Sequence, residues 1–359
     1  MRLLIVSDAW APQVNGVVTS LTALVSELRG MGHCVEVLSP GAFRCVPCPG
    51  YPEIPLAWNL WRVAAAIEAF APDGLHLATE GPLGWAARRW LLRRGLAFSS
   101  AIHTRFPEYL KARCRWFPLA LGYAYLRLFH RHSQAVLVST ERLREDLGSR
   151  GLRRLALWRK GVNSQLFAPR AGAPAPLTAV FLYVGRIAAE KNLQAFLELD
   201  LPGEKWVVGD GPQREALQQV YDQVKFFGYR HGEALAECYR RASVLVFPSR
   251  TDTYGLVMLE AQACGTPVAA FAVPGPLDVV VCGVTGVLAD DLREACLAAV
   301  ELDRARCAQE AGRQSWRASA VEFLARQPLL NGEQVCVAMS GESWAVVEVA
   351  QRAQRAEVT

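Results

Sequence analysis

No uncharged apolar run of 18 residues occurs anywhere in this 359-residue chain, so no segment is expected to span a bilayer. Residues 1–8 are too short for a signal peptide and read instead as a first strand. No Gly-x-Gly-x-x-Gly follows that strand, which removes the dinucleotide fingerprint from an otherwise Rossmann-like opening. The ten cysteines lack a framework of spacings, which favours reduced thiols in the cytoplasm over a disulfide scaffold. Cys45-x-x-Cys48 has no second pair and His130-x-His132 no partner signal, so zinc is not expected. Acidic residues are scarce in the first part of the chain. Residues 1–165 hold 21 Lys+Arg against 11 Asp+Glu, a net of +10, whereas residues 166–359 hold 18 against 23, a net of −5. The basic half should meet an anionic partner. No nucleic-acid motif accompanies it, so that partner is not expected to be nucleic acid.

What is present points to two α/β domains. The length exceeds what one core supports, and 52% of residues are hydrophobic. Strands are expected at 3–6, 34–38, 74–78, 135–139 and 155–158, with a helix running from the loop at 8–18 to Arg29. Residues 41–56 read as an irregular loop, because Pro47, Pro49, Pro52 and Pro55 fall within it and Pro40 just before. A helix at 61–70 follows. The next, at 84–94, is amphipathic and expected to expose Arg88, Arg89, Arg93 and Arg94. Residues 109–132 mix Tyr109, Trp116, Phe117, Tyr123, Tyr125 and Phe129 with Lys111, Arg113, Arg115, Arg127 and Arg131. They read equally as a buried helix with a solvated basic face and as a surface lying on anionic lipid. Residues 168–177, rich in Pro and Ala, form the expected hinge.

The chain is organised around residues 248–268. Ser243 to Phe247 reads as a buried strand, Leu256, Leu259 and Ala263 keep helical spacing, and Gly265-Thr266-Pro267 turns into a second strand at Val268. In such a βαβ unit the helix N-terminus points out from the carboxyl edge of the sheet. There the amides of Gly255, Leu256 and Val257 make an anion site. Asp252 and Glu260 flank it, eight positions apart. Acids beside an anion site suit the neutral hydroxyls of a sugar or ribose. Arg186 and Lys191, five apart around the Gly185 turn, are placed to neutralise a departing diphosphate without a metal. His103 stands just past a strand end, where α/β sheets place ligands, although a lone histidine is usually structural.

Together these stretches resemble the retaining glycosyltransferases of family GT4, which have the GT-B fold. The resemblance is carried by Pro12-x-x-Asn15-Gly16-Val17, His103-Thr104-x-Phe106-Pro107, Trp158-x-x-Gly161-Val162, Gly185-Arg186-x-x-x-Glu190-Lys191-Asn192 and the Asp252 to Glu260 block. It covers about residues 1–327 and is strongest toward bacterial GDP-mannose-dependent α-mannosyltransferases. It implies two Rossmann-like domains with parallel sheets facing across a cleft. The acceptor domain would span 1–167, the linker 168–178, the nucleotide-sugar domain 179–315 and a crossover helix 316–327, leaving 328–359 unassigned.

The resemblance also implies roles. Gly16 lets acceptor and donor phosphate approach the backbone, and His103 contacts the donor sugar. Arg186 and Lys191 clamp the diphosphate, Asp252 holds hexose hydroxyls, Glu260 holds the ribose, and Gly228 and Tyr229 bind the base through backbone groups. The family usually has glutamate where this chain has Asp252, one methylene shorter. No Asp-x-Asp triplet occurs, so neither metal nor cofactor is expected. The expected activity is retaining transfer of a hexose, mannose from GDP-mannose for preference, to a lipid or glycan acceptor. The expected setting is the cytoplasm, peripheral on the inner face of the membrane. The alternatives are a UDP-hexose-dependent glycolipid glucosyltransferase, a sugar-phosphate synthase, and a non-catalytic sugar-nucleotide or anionic-lipid binding protein.

Overall fold

Four of the five residues of β1 (Arg2–Val6) are buried, as a strand covered on both faces of a parallel sheet must be. The computed structural model of the protein describes residues 1–13, 15–48, 51–113, 116–170, 178–312, 314–340 and 343–350. It divides into two units, residues 1–103, 118–159 and 316–359 in one and residues 104–117 with 160–315 in the other. The expected hinge falls outside the described residues over 171–177, as do Arg115 and residues 351–359.

The first unit runs through β2 (Cys34–Leu38), β3 (Cys45–Cys48), β4 (Tyr51–Ala57), β5 (Gly74–Leu77), β6 (Ser99–Ala101), β7 (Ala135–Val138) and β8 (Leu155–Leu157). Its main sheet is parallel, in the order β2-β1-β5-β6-β7-β8. Helix α1 (Gly16–Gly30) starts where it does because Asn15 Oδ1 accepts the Val17 and Val18 amides, each at 3.0 Å. It buries Leu21, Leu24, Val25 and Leu28, one helical stripe. The other helices before the linker are α2 (Arg62–Phe70), α3 (Pro82–Arg94), α4 (Phe106–Arg113), α5 (Leu119–His130) and α6 (Glu141–Ser149).

Three expectations fail here. Residues 41–56 are not an irregular loop: β3 and β4 form an antiparallel ribbon with Val46 opposite Leu56 and Pro47 opposite Pro55. A two-stranded ribbon consists of edges only, so its prolines interrupt no central ladder. Arg88 is buried, not exposed with Arg89, Arg93 and Arg94, and donates to Phe129 O at 2.6 Å and Leu128 O at 2.7 Å. Residues 109–132 are not one helix. They divide between α4 and α5, with Pro118 preceding the second as its cap residue.

The second unit holds β9 (Ala179–Val184), β10 (Gly203–Val208), β11 (Lys225–Phe226), β12 (Val244–Phe247), β13 (Val268–Phe271) and β14 (Gly286–Ala289). They form a parallel sheet in the order β11-β10-β9-β12-β13-β14. Alternate residues feed opposite cores: Leu182, Val184 and Leu245 pack on one side, Phe181, Tyr183, Val244 and Val246 on the other. Its helices after the linker are α7 (Leu193–Leu197), α8 (Arg214–Val220), α9 (Gly232–Arg241), α10 (Leu256–Ala263), α11 (Pro276–Val279), α12 (Leu292–Val300) and α13 (Arg304–Ala311).

Helix α14 (Trp316–Leu324) returns to the first unit, where Ala320, Phe323 and Leu324 share a core with Leu3, Ile5, Leu21 and Leu24. Beyond it the stretch left unassigned from sequence forms an antiparallel hairpin, β15 (Gln334–Ser340) with β16 (Ser343–Ala350). Among the described residues no helix is long and apolar enough to cross a membrane.

Candidate active site

In the second unit β9 and β12 are neighbours, with Phe181 opposite Val244 and Leu182 opposite Leu245. From this pair the strand order runs outward in both directions, to β10 on one side and β13 on the other. At such a reversal the loops leaving the carboxyl ends diverge and open a crevice, the usual ligand position in a parallel α/β sheet. The loop after β9 carries Gly185, Arg186 and Lys191, and the loop after β12 carries Asp252.

Several bonds tie the two loops together. Asn192, in the left-handed region at φ 54°, donates to Pro248 O at 3.1 Å, and Thr251 Oγ1 donates to Glu190 O at 3.3 Å. Lys191 Nζ lies 2.5 Å from Asp252 Oδ1. Asp252 Oδ2 is buried and receives no hydrogen bond among the described residues. An unserved buried carboxylate oxygen is costly, so a ligand hydroxyl donated to it would be stabilising. The Asp252 backbone is held in turn by the Gly275 turn, where a Cβ would fall 2.6 Å from Asp252 O.

Helix α10 starts behind Gly255, whose φ of 85° suits glycine. A Cβ there would also lie 2.7 Å from Met258 Cε and 2.9 Å from Phe247 Cζ. No side chain caps this helix, so the amides of Leu256 and Val257 present the positive end of its dipole. Glu260 follows one turn later. The hydroxyl of Tyr239, a fully buried residue of α9, donates to Glu260 Oε2 at 2.8 Å. Burial pushes the Glu260 carboxyl up to about 7, against the opposing pull of that hydrogen bond. The Tyr239 hydroxyl itself is pushed well above its ordinary range by burial and by the Glu260 charge.

Arg186 is positioned through its backbone: the Tyr183 hydroxyl donates to Arg186 O at 2.8 Å. Burial raises that hydroxyl well above its usual range, and the charges of Asp252 and Glu190 add to the effect. A Cβ on Gly209 would sit 1.9 Å from Gly185 O, so the loops after β9 and β10 meet backbone to backbone. Gly228, at φ 68°, accepts the Gly209 amide at 2.8 Å. Tyr229 beside it is 47% exposed and stacks on His231 with ring centroids 6.1 Å apart.

The sequence-derived residues of the second unit therefore gather along one sheet edge and the helix rising from it. Gly16 and His103 belong to the first unit. Gly16 opens α1, and the His103 ring stands edge-on to buried Trp158 at 5.6 Å.

Sequence reasoning missed three groups. Tyr239 is one. Asp8 and Glu80, which follow the strands flanking the first unit's own order reversal, are the others. Asp8 Oδ1 accepts the Leu83 amide at 2.9 Å and Oδ2 the Thr79 hydroxyl at 2.9 Å, so it caps α3, and burial raises its carboxyl. Glu80 Oε1 meets His130 Nε2 at 3.2 Å, and His130 Nδ1 meets Ser100 Oγ at 2.8 Å. Strand order would have located both acids, but strand order is not written locally in a sequence. Among the described residues no three His, Cys, Asp or Glu side chains converge as metal ligands.

Two family models match successive parts of the chain. Residues 14–166 match the family described as Glycosyltransferase Family 4, and residues 178–302 match that described as Glycosyl transferases group 1. The GDP-mannose-dependent alpha-mannosyltransferase of Mycobacterium tuberculosis is 30% identical over 320 residues, covering 80% of this chain and 83% of that protein. The sucrose-phosphate synthase of Thermosynechococcus elongatus superposes with a TM-score of 0.73 at 23% identity, over 90% of this chain and 97% of its own. HepE of Anabaena, solved in complex with UDP-glucose, superposes with a TM-score of 0.66 at 16% identity, over 90% and 99%.

Proposed function

The chain belongs to glycosyltransferase family 4, has the GT-B fold and is a glycosyltransferase, and from that premise we propose that it moves a hexose with retention from a nucleotide-sugar to a lipid or glycan hydroxyl. Mannose from GDP-mannose is the preferred donor. The observation that carries the proposal is the grouping of the Lys191–Asp252 pair, the uncapped start of α10 and Glu260 at one sheet edge.

In this reading Lys191, Arg186 and the α10 amides take the charge of the departing diphosphate, with no metal bridge. Asp252 Oδ2 accepts a hexose hydroxyl, and Glu260 accepts from the ribose. Gly228 and Tyr229 receive the base, and Gly16 and His103 keep the roles the family resemblance implies. The C1–phosphate bond breaks, the acceptor oxygen bonds to C1 on the same face, and the leaving phosphate takes the acceptor proton.

The named activity of the mycobacterial relative supports GDP-mannose. HepE, solved with UDP-glucose, supports a UDP-hexose as the second reading. Purified protein incubated with each donor, a bacterial lipid extract and EDTA separates them. The expected result is GDP release with an α-linked mannosyl product. Product of inverted configuration, or turnover of no donor, overturns the proposal.

The acceptor side is proposed to lie on anionic lipid. Helix α5 leaves Leu121 62% and Leu128 54% exposed beside exposed Arg127. Flotation with phosphatidylglycerol vesicles should be lost in a Leu121→Asp/Leu128→Asp variant. Unchanged flotation would leave α5 a solvated face.

A further inference from the structure

The Tyr239 hydroxyl lies against Glu260. It is fully buried, comes from α9 rather than from α10, and has Glu260 as its partner. We propose that Tyr239 is a positioning residue for the donor: its hydroxyl, donating to Glu260 Oε2, fixes the carboxylate so that Oε1 is offered to a ribose hydroxyl and favours its charged form against burial. The inference rests on Glu260 being the ribose ligand.

Three observations carry it. The tyrosine is locked in place independently of Glu260. Its ring stands edge-on to Phe167 at 5.8 Å, and its carbonyl accepts the hydroxyl of fully buried Thr266 at 2.6 Å. Thr266 in turn accepts from Arg304 Nη2 at 3.1 Å. Second, Glu260 Oε1 accepts no hydrogen bond from any described residue, so the pair leaves one oxygen for a ligand. Third, no cation is aimed at Glu260 among the described residues. On the packed helices, Arg240 of α9 pairs with Glu233 at 2.7 Å and donates to Leu166 O and Ala168 O, while Arg304 of α13 donates to Ala242 O and Arg240 O. The remaining titratable neighbours, Cys264 capping the end of α10 and Cys238 on α9, stay neutral thiols, Cys264 being pushed up to about 12 by burial and Cys238 being raised as well. Among the described residues the phenol is thus the donor that favours the charged carboxylate.

Binding of GDP to wild type, Tyr239→Phe and Glu260→Gln, measured calorimetrically from pH 6 to pH 9, tests this, with UDP run in parallel. Tyr239→Phe keeps the ring and removes one hydroxyl. Its carboxylate should titrate about one unit higher, so it should bind GDP about tenfold more weakly at pH 6, the deficit shrinking by pH 9 to what lost orientation alone costs. The ratio to wild type cancels the nucleotide's own titration. A deficit of the same size at every pH overturns the charge-favouring role, and no deficit at any pH overturns the proposal. If Glu260→Gln binds GDP as tightly as wild type throughout, it is the ribose assignment of Glu260 that fails. Circular dichroism and thermal melts of both variants show whether the fold is kept.

Discussion

Lys191 and Asp252 are ion-paired at 2.5 Å although 61 positions separate them, one on the loop after β9 and the other on the loop after β12. The cation expected to grip a diphosphate and the acid expected to hold a sugar are each other's partners. Neither side chain has to be gathered from solvent when a donor arrives, and a diphosphate must share Lys191 with Asp252.

Removing the cation should therefore hurt twice. Lys191→Ala is expected to lower donor turnover by at least about 100-fold and to reduce stability by about 1–2 kcal/mol, because Asp252 loses its ion-pair partner. GDP release and urea unfolding measure the two effects. Turnover near wild type would remove Lys191 from the clamp.

Neutralising the acid should separate binding from transfer. Asp252→Asn leaves the Lys191 charge unshared, so GDP is expected to bind more tightly, while hexose transfer falls for want of a charged hydroxyl acceptor. Calorimetry and turnover on one preparation check the opposite signs. Weaker GDP binding would contradict the shared-cation picture.

The largely enclosed carboxyl of Glu260 makes stability depend on pH. Its folded-state value is raised from 4.5 to about 7, so the folded chain holds this proton more tightly than the unfolded one. Ionising it then costs stability as pH climbs from about 4.5 through 7, with no further loss above. Glu260→Gln removes that cost. The variant should gain on wild type between pH 5 and pH 8 by on the order of 2 kcal/mol, allowing for the partial exposure of Glu260. Urea midpoints at the two pH values give the difference, and equal midpoints would mean that the carboxylate is well solvated.

Gly255 should tolerate no side chain. Gly255→Ala puts a Cβ in the left-handed region and against Met258 and Phe247, at a cost of about 2 kcal/mol. The turn that aims the α10 amides should distort, and GDP affinity should drop with the melting temperature. An unaltered GDP affinity would show that those amides do not face the phosphates.

Arg88 should behave as a core residue. Arg88→Ala leaves the Leu128 and Phe129 carbonyls without their donor and is expected to cost about 2–3 kcal/mol, while Arg89→Ala, on the exposed side, should be near neutral. Parallel thermal melts of the two variants provide the contrast.

Much of the site was legible because its signals are local. The β12, α10 and β13 unit is written as an apolar run, a glycine before a helical stripe and a Gly-Thr-Pro turn, and the structure places those elements at Val244–Phe247, Leu256–Ala263 and Val268–Phe271. What was misread depended on partners distant in sequence. Prolines exclude a central strand, not a two-stranded ribbon, and so β3 and β4 went unseen. Arg88 looked solvent-facing by residue type, yet it caps the last carbonyls of α5, where a helix end favours a cation.

By itself the sequence determined the α/β class, the family motifs and the side chains proposed for a nucleotide-sugar. Periodicity, turn residues and motif spacing act within a few residues of themselves. Only the tertiary structure decided that Lys191 closes on Asp252, that Tyr239 reaches Glu260 from another helix, and that Asp8 caps α3. Those pairings follow from strand order and helix packing, which the burial of whole faces sets between segments far apart in the chain.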